Sequence, residues 1–303
     1  MPHLFERFTV LGHKSESDTE PNIVIFGSTG CGKSSVVNML LGANKEGAEE
    51  PRAKVSSSAK GCTFESKPYL VDCEGKNYKV WDTTGLDEGK EGTVASVEAF
   101  DKLCTLIKNL SRRNGGVSLL MFVMRAPRVT ETTRRNYQMF YEGFCEKQVP
   151  VVIVITGLEN EDNMDDWWSS NEYAFKEKQM HFEGAACISA IMGRRTQSGR
   201  RVHQETYDVS VPKVKGLIID HCPKEGWKKK PEVWAVTCWK WALKAVKAKS
   251  PYRHTREMSE KAKMNMASLS MITVELPYSD SASINFSFDD TSSVLSTAGN
   301  SMK

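Results

Sequence analysis

The chain carries a glycine-rich octapeptide whose residue types and spacing suit the binding of phosphate groups. Gly27-Ser28-Thr29-Gly30-Cys31-Gly32-Lys33-Ser34 matches the pattern G-x-x-x-x-G-K-[ST] at every specified position. Glycines let the backbone wrap with its N–H groups pointing inward, and a helix N-terminus adds a favourable dipole for anions. Lys33 would neutralise charge on the β- and γ-phosphates, and the Ser34 hydroxyl would contact Mg²⁺. The octapeptide therefore predicts a site for a nucleoside triphosphate and its magnesium ion.

The segments that flank this loop are those that such a site requires. Asn22–Phe26 is apolar and rich in β-branched residues, which predicts a strand. Ser35–Leu41 has apolar residues at helical spacing. A chance match in a loop of glycine and serine is the alternative, and the strand and helix on either side disfavour it.

A second candidate contact for phosphate and metal follows a later strand. Asp82-Thr83-Thr84-Gly85 ends the strand predicted over 76–82. After such a phosphate loop, an Asp at this position holds Mg²⁺, and the Gly N–H can reach the γ-phosphate because no Cβ intervenes. Thr63 is the candidate for a further hydroxyl ligand of Mg²⁺, with Ser56–Ser58 as alternatives. An ordinary turn at the strand end, or a solvated loop threonine, would explain the same residues without function.

Two further strand ends carry groups that suit a guanine base. Thr156-Gly157-Leu158-Glu159 follows the most hydrophobic predicted strand. The Glu159 carboxylate can accept hydrogen bonds from guanine N1 and N2, which adenine cannot supply. Ser189-Ala190, after the last predicted strand, matches a pair that offers a backbone N–H to guanine O6. These groups favour guanine over adenine as the base. Alternatively, residues 156–159 form a polar loop without such a function.

From Pro21 to about Cys222, strand-like segments alternate with helix-like segments. Six segments are predicted as strands: 22–26, 62–72, 76–82, 116–124, 149–156 and 184–190. Helices are predicted over 35–41, 94–110, 131–145, 165–179 and 207–221. Near-continuous apolar strands separated by helices indicate a sheet covered on both faces. We therefore expect an α/β, three-layer fold with a mostly parallel, six-stranded sheet, and ligands at the carboxyl ends of its strands.

Composition narrows the class of protein further. The 303 residues carry a net charge of +3, which is too small to indicate nucleic acid, and we expect no specific nucleic-acid partner. The eight cysteines include no C-x-x-C pair, which argues against a zinc site and a disulfide scaffold. No apolar run approaches the ~20 residues that span a bilayer, and residues 1–19 lack the apolar core of a signal peptide. We expect a soluble, cytoplasmic protein.

Changes in composition divide the chain into four predicted parts. They are a flexible lead over 1–20, a nucleotide-binding domain over 21–222, a basic tryptophan-containing helical extension over 223–266 and a disordered tail over 267–303. Within residues 227–249, tryptophans share one helical face and lysines another. Such a helix can lie on an anionic membrane surface. A helix docked on the nucleotide-binding domain, with its lysines in solvent, is the favoured alternative.

These segments resemble a GTPase of the translation-factor-related P-loop class. Within that class they are similar to the immunity-associated GTPases, septins and chloroplast-import receptor GTPases. They resemble most of all the stand-alone fungal G-domain proteins of the same branch. The motifs that carry the resemblance cover about residues 21–222, and Arg128-Val129-Thr130-Glu131 also resembles a box of the immunity-associated group. The resemblance implies GTP or GDP and Mg²⁺ as ligands, and nucleotide-dependent homodimers in which two G faces meet. It also implies that one strand of the hairpin predicted over 62–72 and 76–82 runs antiparallel to the rest of the sheet. The implied nucleotide contacts are Gly27, Ser28, Thr29, Gly30, Cys31, Gly32, Lys33, Ser34, Ser35, Asp82, Gly85, Thr156, Gly157, Glu159, Ser189 and Ala190. The implied metal ligands are Ser34, Thr63 and Asp82, and the implied catalytic residues are Lys33, Thr63 and Gly85.

The chain departs from the pattern of these GTPases at two places. Gly157 and Glu159 differ from the usual base-reading residues, and Leu86 stands where many small GTPases carry a water-orienting Gln. Because leucine cannot hydrogen-bond a water, we expect slow hydrolysis in the monomer and faster hydrolysis in a dimer or with an activator. Arg125 or Arg128 is the candidate for an arginine donated to a partner's site, with a surface salt bridge as the simpler role. A nucleotide-stabilised scaffold with little turnover and, less favoured, a P-loop ATPase or kinase are the alternatives.

Overall fold

The computed structural model describes residues 20–42, 53, 68–83, 105–111 and 115–228. These residues all belong to the first of two compact units, Met1–Met258. The second unit, Ser259–Lys303, lies outside the described residues, as do the lead over 1–19 and most of the predicted extension.

Six strands form one sheet, as the sequence predicts. They are β1 (Asn22–Phe26), β2 (Pro68–Cys73), β3 (Lys76–Asp82), β4 (Leu119–Arg125), β5 (Val151–Thr156) and β6 (Gly184–Cys187), in the spatial order β2-β3-β1-β4-β5-β6. Only the β2–β3 pair is antiparallel; its register joins Cys73 to Lys76 across a tight turn at Glu74-Gly75. Both turn residues have positive φ, 54° and 80°, the backbone that a two-residue hairpin turn requires. The expectation of a mostly parallel sheet with one antiparallel strand is confirmed.

The central strands are buried on both faces because their side chains alternate between two cores. Val24 and Phe26 of β1 point to one core, whereas Ile23 and Ile25 point to the other. The first core packs against helices α2 (105–111), α3 (Glu131–Tyr137) and α4 (Asp165–Glu177). The second core packs against α1 (Lys33–Leu40) and α5 (Gln204–His221). Helices on both faces of the sheet give the predicted three layers.

The helix predicted over 131–145 has two parts. Thr130 caps α3: its hydroxyl accepts the backbone N–H of Thr133 at 3.1 Å, and the Thr133 hydroxyl accepts the backbone N–H of Thr130 at 3.2 Å. After Tyr137 the chain widens into a π-helical turn over Gln138–Phe144, which ends with a hydrogen bond from Cys145 N to Phe140 O at 3.0 Å. The apolar pattern predicts a helix correctly here, but it does not distinguish the wider turn.

Several element ends differ from the sequence predictions. The strand predicted over 116–124 begins at Leu119, because Val117 instead exchanges two backbone hydrogen bonds, 2.8 and 2.9 Å, with Trp227. The strand predicted over 184–190 ends at Cys187, and the helix predicted over 207–221 begins at Gln204. Trp227, which lies beyond Cys222, therefore packs against the first core. The domain boundary at 222 stays a prediction.

No helix among the described residues is both long enough and apolar enough to cross a membrane.

Candidate functional site

The glycine-rich loop connects the end of β1 to the start of α1 at the carboxyl edge of the sheet. Gly27 passes so close to β4 that a Cβ at its position would overlap the carbonyl oxygen of Val123. Its φ of 146° is also one that residues with a side chain rarely adopt. Gly32 caps α1 with a φ of 100°. Thr29 and Gly30 form the exposed tip of the loop, and Ser35 lies half-buried in the first turn of α1.

The Lys33 side chain lies across this loop and is 5% exposed. Its ammonium donates hydrogen bonds to the carbonyl oxygens of Gly27 at 2.6 Å and Ser28 at 3.0 Å. The two bonds hold a positive charge at the mouth of a loop that begins a helix, where the backbone dipoles also favour anions. This arrangement suits a polyphosphate.

Ser34 and Asp82 meet although 48 residues separate them in sequence. The Ser34 hydroxyl donates to Asp82 Oδ2 at 2.8 Å, and both side chains are at least nine-tenths buried. The next residue, Thr83, holds the end of β3 against β1 by donating its hydroxyl to Ile25 O at 2.7 Å. Hydroxyl and carboxylate oxygens are hard donors, which fit Mg²⁺. Among the described residues no cluster of three His, Cys, Asp or Glu side chains could hold a metal ion.

Thr156 ties the end of β5 to the phosphate loop. Its hydroxyl donates to Cys31 O at 2.7 Å and also lies 3.3 Å from Met124 O, and the residue is 2% exposed. The hydroxyl is therefore engaged by the protein itself. Thr156 therefore positions the loop and the strand end relative to one another.

Gly157 and Glu159 lie next to Arg125, at the end of the neighbouring strand. Arg125 pairs with Thr156 in the register of β4 and β5. Its guanidinium Nη2 lies 3.5 Å from Glu159 Oε1, and the Glu159 side chain is 9% exposed. The surface salt bridge considered for Arg125 is thus present, with the predicted base-reading carboxylate as its partner.

Ser189 and Ala190 follow β6 in a buried loop. The backbone N–H of Ser189 donates to Ser210 Oγ at 3.0 Å, and the Ser189 hydroxyl donates to Ile191 O at 2.8 Å. Ser189 is therefore fixed to α5, and within the described chain the Ala190 N–H has no such acceptor. Just before this loop, burial raises the pKa of the Cys187 thiol to about 11, which keeps that side chain neutral.

Hydrogen bonds join the phosphate loop and the start of α1 to Asp82 of β3 and Thr156 of β5, whereas Glu159 contacts Arg125 and Ser189 contacts α5. Thr63, Gly85 and Leu86 lie outside the described residues, and their predicted roles stay predictions.

Two polar contacts near the site were not predicted from the sequence, one to the phosphate loop and one to the helix that follows it. Asn136 of α3 places its Nδ2 3.4 Å from Ser28 Oγ. Asn38 of α1 uses both ends of its amide on Ala53: Nδ2 donates to Ala53 O at 3.0 Å, and Oδ1 accepts the Ala53 N–H at 2.7 Å. A buried polar position in an otherwise apolar helix face was the available signal for Asn38.

Comparison with known protein families finds one match, which covers the phosphate loop and the strands β1 to β5. Residues 22–157 match the model of the 50S ribosome-binding GTPase family. The match covers less than half of the chain. No functionally curated protein matches the sequence.

Solved structures that match this chain share little sequence with it. They include a variant of Era from Aquifex aeolicus bound to GDP and AlF4⁻ (17% identity, TM-score 0.44, covering 71% of this chain and 60% of Era). Toc33 from Arabidopsis thaliana, in complex with GDP and Mg²⁺, has 17% identity and a TM-score of 0.42, covering 67% of this chain and 86% of Toc33. The elongation factor SelB from Methanococcus maripaludis has 15% identity and a TM-score of 0.37, covering 67% of this chain and 34% of SelB.

Proposed function

We propose that this chain is a GTP-binding protein that hydrolyses GTP slowly with Mg²⁺ and acts as a switch, activated by homodimerisation or by a partner. The observation that carries the proposal is the arrangement of Lys33, Ser34 and Asp82 around one glycine-rich loop. Lys33 supplies a fixed charge for the phosphates, and the Ser34–Asp82 pair supplies oxygen donors for Mg²⁺. Phosphoryl transfer depends mainly on such positioning and charge stabilisation.

The proposed specificity for guanine depends on the residues after β5 and β6, on the side of the phosphate loop away from Asp82. Asp82 marks the side of the loop where metal and γ-phosphate would lie, so the nucleoside extends toward the ends of β5 and β6. There the Glu159 carboxylate would accept the N1 and N2 hydrogens of guanine, and the Ala190 N–H would donate to O6. Thr156 supports this binding indirectly, through its bond to Cys31 O.

Slow turnover follows from Leu86, which cannot orient a water for attack. An arginine supplied by a partner raises the rate of GTP hydrolysis about 10³–10⁵-fold in related systems. Arg128 is exposed, and no ion pair engages it within the part of the chain that the structure describes. We therefore assign Arg128, rather than Arg125, as the arginine offered to a second copy of the chain.

Two measurements test this proposal. The nucleotide released from denatured purified protein identifies the base, and the proposal expects GDP or GTP. The GTP turnover per molecule, measured over a wide range of protein concentration, should rise with concentration in the wild-type protein and stay low in R128A. R134A is the matched control, because Arg134 is engaged by Glu131 at 2.7 Å.

The other outcomes favour the alternatives. Bound guanine nucleotide with turnover that is low at every concentration would favour a nucleotide-stabilised scaffold. Recovery of ADP or ATP would favour an ATPase or kinase.

The cellular location is a separate part of the proposal. We propose a cytoplasmic protein whose basic segment 227–249 contacts anionic membranes peripherally; all but its first two residues lie outside the described chain. Co-sedimentation with vesicles should increase with their content of anionic lipid and fall with salt. Sedimentation that is independent of anionic lipid would contradict the membrane contact.

A further inference from the structure

Arg125 occupies the space that a side chain on Gly157 would fill. A Cβ built on Gly157 would lie 3.0 Å from Cγ, 3.2 Å from Nε and 3.4 Å from Cζ of Arg125. The Arg125 side chain therefore crosses directly over the Gly157 backbone, from the end of β4 to the loop after β5. The φ of 84° at Gly157 is one that residues with a side chain rarely adopt, so the loop keeps this space open for Arg125.

The far end of Arg125 lies beside Glu159. The 3.5 Å between Nη2 and Oε1 is at the limit of a hydrogen bond, so the contact is mainly one of charge. The two side chains differ sharply in exposure: Glu159 is 9% exposed, whereas Arg125 is 55% exposed. Arg125 thus covers the carboxylate and still presents much of its own surface to solvent.

This exposed guanidinium lies on the nucleoside side of the phosphate loop. The Ser34–Asp82 bond marks the metal side, toward β3. The Thr156–Cys31 bond joins the loop to β5 on the other side, one residue before Gly157. A nucleoside whose phosphates occupy the loop and whose base reaches Glu159 must pass beside Arg125.

We propose that Arg125 determines base affinity: its guanidinium plane stacks on the purine, and its charge holds Glu159 in the orientation that reads guanine. This inference rests on the proposed function, because it assumes that Glu159 accepts the guanine N–H groups. Arginine is suited to the role because its planar guanidinium stacks on flat rings and bases, which an ammonium cannot do.

The test separates base contacts from phosphate contacts. Calorimetric titration of the full chain with GDP, ADP and magnesium pyrophosphate is compared between the wild type, R125A and R125K. R134A is the control, since Arg134 is also a partly exposed arginine in an ion pair, with Glu131. Thermal unfolding of each variant verifies that the fold is kept.

In R125A we expect the affinity for GDP to fall about tenfold, with pyrophosphate affinity unchanged, because stacking with a cation contributes on this scale. R125K keeps a positive charge near Glu159 but lacks the planar guanidinium group. Its GDP affinity should therefore lie between those of the wild type and R125A. R134A should match the wild type for all three ligands.

Two results would overturn the inference. An R125A variant that binds GDP as the wild type does would show that no base contact is lost. An equal loss of affinity for GDP and for pyrophosphate would indicate that Arg125 contacts the phosphates or supports the fold as a whole. By contrast, a wild-type protein that binds GDP and ADP equally would overturn the proposed guanine specificity itself, and this inference with it, so the two failures are distinguishable.

Discussion

The Ser34 hydroxyl donates a 2.8 Å hydrogen bond to Asp82 Oδ2, joining the helix after the phosphate loop to the end of β3. Both side chains are buried, and neither alone provides enough ligands for a divalent ion. A metal that binds here must complete its shell with phosphate oxygens and water. Metal and nucleotide should therefore bind together.

The first prediction concerns this linkage. In the wild-type protein, removal of Mg²⁺ should weaken GTP binding, because the metal bridges protein and phosphate. In S34A and D82N the affinity for GTP with Mg²⁺ should fall by about tenfold or more toward the metal-free value, since S34A removes an oxygen ligand and D82N removes the carboxylate charge. S169A is the control, because Ser169 is an exposed serine on α4 that bonds Asp165 O at 3.3 Å. If S34A and D82N respond to Mg²⁺ as the wild type does, Ser34 and Asp82 do not hold the metal.

The second prediction concerns Thr156. Valine has nearly the same shape but no hydroxyl, so T156V leaves Cys31 O without its 2.7 Å donor in a buried place. The free energy of unfolding should fall by about 1–3 kcal/mol, and GDP affinity should fall with it because the loop loses its tie to β5. Urea denaturation and GDP titration measure the two effects. T196V, at an exposed turn, should change neither, and a stable T156V with full affinity would contradict the role assigned to the hydroxyl.

The third prediction concerns Asn38, whose amide pairs with both backbone groups of Ala53 at 3.0 and 2.7 Å. N38L should lower the free energy of unfolding by about 1–3 kcal/mol, since two buried backbone groups lose their partner. N38D keeps the acceptor for the Ala53 N–H but not the donor, so it tests the two bonds separately. Equilibrium unfolding in urea is the measurement, and N171A on α4, where Asn171 bonds Trp167 O at 2.7 Å, is the control. Equal stability of N38L and wild type would refute the pairing.

The fourth prediction concerns alkaline pH. Burial raises the pKa of Cys73 and Cys187 to about 11 and that of Cys222 to about 12. In the unfolded chain these thiols have a pKa of about 8.5. Above that pH the unfolded state binds fewer protons than the folded state, so the free energy of unfolding falls as pH rises toward 11.

Each such thiol contributes up to about 1.4 kcal/mol per pH unit to this slope. Urea unfolding with a reductant present, at several pH values between 7 and 10.5, measures it. Replacing Cys73 or Cys187 with Ala should reduce the slope, whereas a slope that is the same in the variants would show that other groups cause it.

The fold was largely predictable because its signals are local. Each central strand is an apolar run buried on both faces, and Gly75, which accepts positive φ, marks the turn between β2 and β3. The phosphate loop was predictable for the same reason, since one octapeptide contains the whole pattern.

The parts that escaped prediction depend on pairs that are distant in sequence. Arg125 and Glu159 are 34 residues apart, and Asn136 and Ser28 are 108 apart. Only the parallel register of β4 and β5 brings Arg125 over Gly157, and no local pattern encodes that register. The π turn over Gln138–Phe144 was missed because its apolar spacing resembles that of an α-helix.

The most direct test of the account is GTP binding by K33A. Lys33 holds the only charge that the structure places inside the described part of the phosphate loop, at 2.6 Å from Gly27 O. The wild type should bind GTP with Mg²⁺, and K33A should lose about 100-fold or more in affinity, because a charge-assisted contact to phosphate is removed. K213A, which removes a half-buried lysine paired with Asp165 at 2.7 Å, should bind as the wild type does. Undiminished GTP binding by K33A would contradict the central claim.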